Sequence, residues 1–265
     1  MVVVSSVQRD VILDAVQAMY TALATSPEQE FHFPSGRRAC EYLGYPAALL
    51  DALPPAALES FAGVGYPFAA GVIAPGDVVL DIGSGSGTDA LIASRLVGPS
   101  GRVVALDVTD AMRRKLETNA AQAGVTNIEV VAGNAEDIPL PDESVSVVTT
   151  NGVINLVPDK AAAIAEMYRV LRPGGRVQMA DIVVESLPSA ACRAQPQLWA
   201  ECIVGATSEA EYDALFQVAG FGALAVLSRH DYFAASRSPE TRKVASSFGA
   251  HAFVVTTVKP GVLAF

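Results

Sequence analysis

The sequence predicts an α/β fold in which a doubly wound, mostly parallel sheet of seven strands follows a helical N-terminal segment. Short runs of β-branched residues alternate with helical stretches between residues 77 and about 185, a pattern typical of βαβ units that build a parallel sheet. The first of these runs ends in a glycine-rich turn where a helix begins. Hydrophobic residues make up 51% of the 265 residues, which is enough to bury one large core.

The N-terminal part predicts helices rather than strands. Residues 5–25 place apolar side chains, among them Val11 and Ala18, at helical spacing. Pro46, Pro54-Pro55, Pro67 and Pro75 interrupt the stretch 34–76 and predict short helices broken by turns. We therefore expect residues 1–75 to form a helical cap, or lid, over the sheet.

The sheet and its helices are expected between residues 76 and 265. The predicted strands lie at 78–83, 102–108, 127–133, 144–151, 175–184, 222–230 and 251–259. The predicted helices lie near 87–97, 110–123 and 159–171, in an insertion at about 186–220, and from Pro239 onward. Nothing in this pattern requires a second core, so one domain with a cap and an insertion is expected.

Composition and charge disfavour several classes of function. A net charge of −10 offers no basic surface for a phosphate backbone, so nucleic acid is not an expected partner. The sequence has neither a signal-peptide pattern nor an uncharged apolar stretch of about 20 residues, which predicts a cytoplasmic protein without a membrane contact. Three cysteines at irregular spacing predict no disulfide framework and no metal site. The apolar composition is compatible with a homodimer.

The segment VVLDIGSGSGTD at 78–89 predicts a nucleotide-like ligand. Gly83, Gly85 and Gly87 permit a tight turn and a close approach of ligand to backbone. The same glycines satisfy the dinucleotide pattern, which leaves an NAD-dependent oxidoreductase as one alternative. Asp81 favours the other, because a carboxylate at this turn repels a pyrophosphate but attracts a ligand that carries an ammonium and a sulfonium. The ligand with these features is S-adenosylmethionine (SAM).

Polar residues after the next strands extend this site. Asp107 ends the second strand, where a carboxylate accepts hydrogen bonds from both ribose hydroxyls or merely terminates the strand. Asn134, Ala135 and Glu136 follow the third strand and suit the edge of an adenine. Asn151 closes the fourth strand, beside the expected switch point, and should lie near the transferred methyl group. The predicted cofactor-binding residues are Asp81, Gly83, Ser84, Gly85, Gly87, Asp107, Val108, Met112, Asn134, Ala135, Glu136 and Asn151.

Five motifs in order resemble the class I SAM-dependent methyltransferases. They are DIGSGSG, LDV, GNAEDIP, NGVINL and EMYRVLRPGGRVQMADIV. The resemblance covers roughly residues 75 to 260 and implies a Rossmann-like sheet whose last strand is antiparallel. It also implies SAM as the cofactor.

Within that class, the stretches NGVINLVPDKAAAIAEMYRVLRPGG, DIVVESLP and LWAECIVGA look like the arsenite methyltransferases and their UbiE-like relatives. In that family cysteine thiolates hold trivalent arsenic, and Cys202 matches one of them. The cap segment FAGVGYPF has Ala62 and Val64 where the family places a cysteine. Tight capture of a soft metalloid needs two or three sulfurs, which only Cys40 or Cys192 remain to supply. An organic acceptor is therefore favoured over arsenite.

Methyl transfer to an activated carbon depends mainly on holding the reactants in line, so a general base is optional. Asp181, His32 and Tyr20 are candidates for proton removal or orientation, and Trp199 for a wall of the acceptor pocket. The full set of candidate catalytic residues is Asn151, Asp181, Cys202, His32, Tyr20 and Trp199. The leading hypothesis is O-, N- or C-methylation of a small organic molecule, as in natural-product biosynthesis. The alternatives are an arsenite methyltransferase that uses Cys202, and a non-catalytic SAM-binding partner protein.

Overall fold

A seven-stranded sheet forms the centre of the computed structural model, which describes residues 6–189, 192, 199 and 203–261. The strand order is β3-β2-β1-β4-β5-β7-β6. The first five strands are parallel, and β7 is antiparallel to both β5 and β6. The strands are β1 (Val78–Ile82), β2 (Arg102–Asp107), β3 (Ile128–Ala132), β4 (Val145–Asn151), β5 (Leu171–Val183), β6 (Ala225–His230) and β7 (His251–Val258). This order confirms the predicted fold class.

Helices precede the sheet and connect its strands. The α-helices among the described residues are α1 (Ser6–Thr25), α2 (Gly36–Tyr42), α3 (Ala47–Asp51), α4 (Pro55–Glu59), α5 (Thr88–Val97), α6 (Asp110–Gln122), α7 (Lys160–Val170), α8 (Glu209–Ala219) and α9 (Pro239–Phe248). Short 3-10 helices lie at Pro67–Ala70, Ile154–Leu156 and Tyr232–Ala235. None of the helices in the described ranges is long and apolar enough to cross a bilayer.

The core has two layers because side chains alternate between the two faces of the sheet. On β1, Val79 packs into one layer and Leu80 into the other, and both are fully buried. The layer of Val79 also contains α5, α6 and the buried side chains of α1 to α4. The layer of Leu80 contains α7 and α8. The N-terminal helices therefore extend the core on one face of the sheet.

Helix α1 is confirmed, but two of the apolar residues whose spacing predicted it do not lie on its buried face. Ile12 and Leu23 are fully buried and Val16 nearly so, whereas Val11 and Ala18 are exposed. Apolar residues occur on almost every side of this helix, so their spacing does not select one face. Packing against α6 and the rest of the core selects it.

Strand β5 begins earlier than predicted. The strand was predicted to begin at residue 175, but it includes Leu171 onward. Pro173-Gly174-Gly175 lie in an irregularity inside it, where the pairing shifts between Val145↔Leu171 and Val147↔Arg176. Gly174 has φ +75°, and its N–H donates to the Lys259 carbonyl at 2.9 Å. The buried Lys259 ammonium donates to the Leu171 carbonyl at 2.7 Å. These long-range contacts convert a local turn into part of the strand.

Part of the predicted insertion at 186–220 lies outside the described residues. Its described helix is α8, whose first turn is capped by the Ser208 hydroxyl accepting from Glu211 N. Strand β6 begins at Ala225 rather than at residue 222. Helix α9 begins at Pro239, as predicted, and Ser238 is its N-cap.

Replacing Ile12 with alanine tests the buried face of α1. The Ile12→Ala variant should lose about 2 to 5 kcal/mol of unfolding free energy, because it removes fully buried methyl groups and leaves a cavity. The neighbouring Val11→Ala change should alter stability by no more than about 0.5 kcal/mol, because that side chain is 46% exposed. Urea unfolding of both variants measures the difference. Equal losses in the two variants would contradict the observed face.

Candidate functional site

A cavity lies at the carboxyl ends of β1, β2, β3 and β4, under α1 and the segment 60–63. The chain order of the strands reverses at β1, between β2 and β4, which is where doubly wound sheets bind ligands. Eleven of the predicted site residues line the cavity: Tyr20, Asp81, Gly83, Ser84, Gly85, Asp107, Val108, Met112, Asn134, Ala135 and Asn151. Five other predicted residues in the described part of the chain do not line the cavity: Gly87, Glu136, Asp181, His32 and Trp199.

The glycine-rich turn follows β1 and combines tight packing with open backbone. Gly83 has φ +69°, and a Cβ there would lie 2.3 Å from Val153 Cγ2. Gly85 has φ +53° and open space in the direction of a Cβ. Gly87, the N-cap of α5, faces Leu116 instead of the cavity. The turn thus leaves its backbone accessible at Gly85, where a ligand can approach.

Three aspartates with little exposed surface line the cavity: Asp81, Asp89 and Asp107. Burial raises the pKa of each, and the charges of Asp89 and Asp107 raise the pKa of Asp81 further, well above its usual range. The pKa of Asp89 rises to about 6. No lysine or arginine is present in the lining formed by the described residues. A bound cation would offset the cost of ionising these groups.

Asp107 is held at the end of β2 by backbone donors. Gly85 N donates to its Oδ2 and Thr109 N to its Oδ1, both at 2.8 Å. The Arg113 guanidinium donates to the Asp107 carbonyl at 2.9 Å. The carboxylate is therefore oriented, and it retains lone pairs toward the cavity for further donors such as hydroxyls.

The residues of the cavity fit SAM, the cofactor predicted from the sequence. Asp81 Oδ2 and Ser84 Oγ are buried and have no hydrogen-bond partner among the described residues. An ammonium and a hydroxyl would satisfy such atoms, whereas buried polar groups without partners are costly. A pyrophosphate among three carboxylates would be repelled. The lining therefore favours a phosphate-free, positively charged nucleoside over NAD.

Glu136 does not contribute to this lining. The Arg9 guanidinium of α1 binds it, with Nε 2.6 Å from Oε2, and Asp159 N donates to Oε1 at 2.7 Å. The expectation that Glu136 binds the cofactor is therefore corrected. Both of its carboxylate oxygens accept hydrogen bonds from other parts of the chain. Asn134, beside it, lines the cavity while its Oδ1 accepts from Glu136 N at 3.0 Å. The partner Arg9 is 127 residues away, so local sequence carried no signal of it.

Asn151 closes β4 and binds the N-terminal segment. Its Oδ1 accepts from Val64 N at 2.7 Å and from Gly65 N at 3.2 Å. Its Nδ2 donates to Tyr45 Oη, to the Gly65 carbonyl and to Asp89 Oδ2 at 2.9 to 3.0 Å. Asn151 thus lies in the cavity wall, and its amide is occupied by protein groups.

Asp181 lies in the core rather than in the cavity. It shares the layer of α7 and α8, where Tyr212 Oη and Asn155 N donate to its Oδ2 at 3.1 and 3.0 Å, and Ile182 N to its Oδ1 at 2.7 Å. Burial raises the pKa of Asp181 to about 6 despite these donors. The prediction of a general base is corrected, because the side chain points to the face of β5 opposite to its neighbour Ala180, which packs against Gly65.

The three predicted site residues with ring side chains differ in their positions. Tyr20 lines the cavity, and its ring stacks on Phe33 with 6.2 Å between centroids. His32 lies outside the lining, where its ring meets the edge of Phe33 and its carbonyl accepts from Ser236 Oγ at 2.6 Å. Trp199 is buried outside the lining and packs against Lys160. Only Tyr20 of these three contacts the cavity.

The cysteines do not gather at the cavity within the described part of the chain. Cys40 is fully buried outside the lining, and burial together with the Asp89 charge raises the pKa of its thiol far above the usual range. Cys192 is half-buried, with Ser189 Oγ 3.3 Å from its sulfur. Cys202 lies outside the described residues. Ala62 lines the cavity, and Val64 is buried beside it.

Several residues of the site were not predicted. Ser86 lies between Gly85 and Gly87, and Thr88 and Asp89 follow the last glycine. The hydroxyls of Ser86 and Thr88 both donate to the Ala57 carbonyl at 2.7 Å. Tyr45 donates to Asp89 Oδ1 at 2.6 Å. The acid at position 89, in the first turn of a helix that starts at the glycine-rich turn, was the available signal. The cap residues carried none, because their contacts are all long-range.

The comparisons with known proteins agree with this geometry. Residues 73–220, more than half of the chain, match the family described as a methyltransferase domain. The chain belongs to this family of methyltransferases. The match confirms the family that the five motifs predict.

Curated relatives of the methyltransferase include enzymes of two kinds. The arsenite methyltransferase of Halobacterium salinarum is 38% identical over 169 residues, which is 64% of this chain and 43% of that protein. The human arsenite methyltransferase is 35% identical over 54% of this chain and 40% of its own length. The ubiquinone/menaquinone biosynthesis C-methyltransferase UbiE of Marinomonas sp. is 41% identical over 38% of this chain and 41% of its own length. The chain thus spans less than half the length of these relatives.

Solved structures show the same fold. The arsenic(III) S-adenosylmethionine methyltransferase CrArsM of Chlamydomonas reinhardtii superposes with a TM-score of 0.69 at 34% identity, over 82% of this chain and 73% of that one. The phosphoethanolamine N-methyltransferase 2 of Haemonchus contortus superposes with a TM-score of 0.63 over 97% of this chain and 61% of that one. Its 18% identity supports the fold alone.

The buried Asp181 carboxyl should make stability depend on pH. Its pKa is about 6 in the folded protein and 3.8 ordinarily, so the folded state retains the proton that the unfolded state loses between these values. The wild type should therefore lose about 2 kcal/mol of unfolding free energy relative to Asp181→Asn as the pH rises from 4 to 6. Urea unfolding of both proteins across this range measures the difference. Parallel pH profiles would contradict a raised pKa at this position.

Proposed function

We propose that the chain is a SAM-dependent methyltransferase that methylates a small organic acceptor at oxygen, nitrogen or carbon. The observation that carries the proposal is the cavity at the switch point, where buried Asp81, Asp89 and Asp107 meet an open glycine turn. The acidic half of the lining suits a positively charged cofactor. The other half, formed by α1 and 60–63, suits an apolar acceptor.

The residues of the chain divide the work of binding. Asp81 and Ser84 would accept hydrogen bonds from the amino acid part of SAM. Asp107 would accept hydrogen bonds from the ribose hydroxyls. Asn134 and Ala135 lie where the adenine edge is expected. When bound, SAM supplies a methyl group on a sulfonium, which an acceptor atom takes by direct displacement.

The apolar residues of the lining would exclude water and hold the acceptor. Leu13, Val16 and Tyr20 contribute from α1, Phe61 from the segment 60–63, and Leu156 from the 3-10 helix after β4. Exclusion of water strengthens the electrostatic interactions in the site and prevents side reactions. Since methyl transfer needs alignment more than proton removal, the loss of Asp181 as a candidate base does not weaken the proposal.

The relatives support two kinds of acceptor. Similarity to UbiE favours a carbon acceptor in an organic molecule. Similarity to arsenite methyltransferases favours the metalloid as a second candidate, with Cys202 as the thiol. The organic acceptor has the stronger support, because Cys40 is buried outside the lining and Ala62 and Val64 bring no sulfur to the cap. A cytoplasmic location and a homodimer stay predictions from the sequence, and light scattering measures the second.

Calorimetric titration with SAM tests the cofactor site. The wild type should bind SAM, and Asp81→Asn should bind it at least about tenfold more weakly, because a charge-assisted hydrogen bond contributes about 1.5 to 3 kcal/mol. Asp51→Asn is the matched control, since this aspartate lies on the surface of α3 and pairs with Arg37. NAD should not bind. A wild type without SAM affinity, or an Asp81→Asn variant with unchanged affinity, would overturn the assignment.

Transfer of labelled methyl from SAM identifies the acceptor. Small phenols, amines and carbon acids are tested beside arsenite with excess thiol, in the wild type and in Cys202→Ser. The organic proposal predicts a labelled organic product in both proteins and no methylated arsenic. Methylated arsenic from the wild type that disappears in Cys202→Ser would establish the second candidate in its place.

A further inference from the structure

Asn151 uses the whole hydrogen-bonding capacity of its amide on protein groups. Its oxygen accepts from Val64 N and Gly65 N, and its nitrogen donates to Tyr45 Oη, Asp89 Oδ2 and the Gly65 carbonyl. A carboxamide has two lone pairs on oxygen and two hydrogens on nitrogen, so the two hydrogens are shared among the three acceptors. The amide has no hydrogen-bonding capacity left for the methyl acceptor. The contribution of Asn151 to the site must therefore come through the protein groups that it holds.

Asp89 and Tyr45 determine which way this amide points. An ionised carboxylate only accepts, so Asp89 Oδ2 requires the nitrogen of Asn151, at 2.9 Å. Tyr45 Oη donates to Asp89 Oδ1 at 2.6 Å and accepts from Asn151 Nδ2 at 3.0 Å. With the nitrogen turned toward these two residues, the oxygen faces the Val64 and Gly65 N–H groups.

The segment that Asn151 holds contains two glycines whose backbone packs closely against Asn151 and β5. A Cβ at Gly63 would lie 2.4 Å from Asn151 Nδ2, and a Cβ at Gly65 would lie 2.7 Å from the Cβ of Ala180 on β5. Gly63 lines the cavity together with the three residues before it. A shift of the Asn151 side chain would therefore move the cavity wall on the acceptor side.

Tyr45 also supports this wall directly. Its ring meets the ring of Phe61 edge-on, with 5.3 Å between centroids, and Phe61 lines the cavity. Tyr45 and Asp89 are both buried, at 4% and 7% exposure. A buried carboxylate that accepts from a tyrosine and a carboxamide is a rigid arrangement, because breaking either bond leaves one of its two oxygens without that donor.

We propose that Tyr45 and Asp89 are positioning residues for methyl transfer: they orient Asn151, which holds residues 63–65 and thereby shapes the acceptor wall at 60–63. The proposal rests on the proposed methyltransferase function and adds residues that the motifs did not indicate. It assigns the contribution of Asn151 to the shape of the wall rather than to a contact with the reacting atoms.

Hydrogen exchange tests the structural half of the proposal without any reaction. Tyr45→Phe keeps the ring that packs on Phe61 and removes the hydroxyl, and Asp89→Ala removes the carboxylate. Both should accelerate amide exchange of Val64 and Gly65 at least tenfold, because these N–H groups donate to the Asn151 oxygen. Tyr42→Phe is the matched control: it removes a tyrosine hydroxyl that donates to the Asp231 carbonyl on the surface. Unchanged exchange in both variants would overturn the proposal.

Kinetics with the acceptor found by the labelled-methyl panel test the other half. Tyr45→Phe should reduce kcat/KM for the acceptor at least tenfold while the Kd for SAM, measured by calorimetry, changes less than threefold. Asp89→Asn keeps an oxygen for one donor and should retain more activity than Asp89→Ala. Faster exchange with unaltered kcat and KM would refute the positioning role.

The two proposals fail in different ways. If the wild type neither binds SAM nor methylates any compound, the proposed function is wrong, and the role of Tyr45 and Asp89 in that reaction is wrong with it. If the wild type is active and the exchange of Val64 and Gly65 is the same in all variants, only the positioning proposal is wrong.

Discussion

Three aspartates lie buried around the carboxyl end of β1, and much of the surrounding structure offsets the cost of burying them. Asp107 accepts from Gly85 N and Thr109 N, and Asp89 accepts from Tyr45 and Asn151. Asp81 Oδ2 has no such donor among the described residues. Desolvation of a carboxyl group favours its neutral form, and the raised pKa values of all three follow from it. A positively charged ligand relieves this repulsion, which links the electrostatics of the ligand-free site to the kind of cofactor it selects.

Polar contacts attach the N-terminal helices to the sheet around this cavity. Arg9 of α1 binds Glu136 after β3, and Lys115 of α6 donates to Ser60 Oγ at 2.8 Å. Ser86 and Thr88 hold the Ala57 carbonyl at the end of the glycine turn. The acidic lining comes from the ends of β1 and β2 and the start of α5, whereas α1 and the segment 60–63 supply much of the apolar lining. This division allows the acceptor side to vary while the cofactor side keeps its family pattern.

The similarity to arsenite methyltransferases therefore carries more weight for the cofactor than for the acceptor. The match to the family covers 73–220, which includes the glycine turn and the ends of the first four strands. Tyr20, Phe61 and Ala62 on the acceptor side lie before it. A metalloid needs soft ligands, and the described part of this wall presents aromatic and aliphatic groups. The chemistry of the wall, more than the identity of the relatives, distinguishes the two candidates.

Local sequence patterns determined the strands β1 to β4, the glycine turn and the acids beside it. These features arise from contacts among residues near in the chain: β-branched runs favour strands, and glycines adopt φ values that other residues avoid. The lining role of Asp81, Asp107 and Asn134 follows from their places at strand ends, because parallel strands end at one edge of the sheet. Only the tertiary structure decided three other features. They are the buried face of α1, the ion pair between Arg9 and Glu136, and the burial of Asp181 beside Tyr212. Each depends on a partner far away in the chain, and a side chain at the same strand end or helix turn points to a ligand or to the core according to what packs against it.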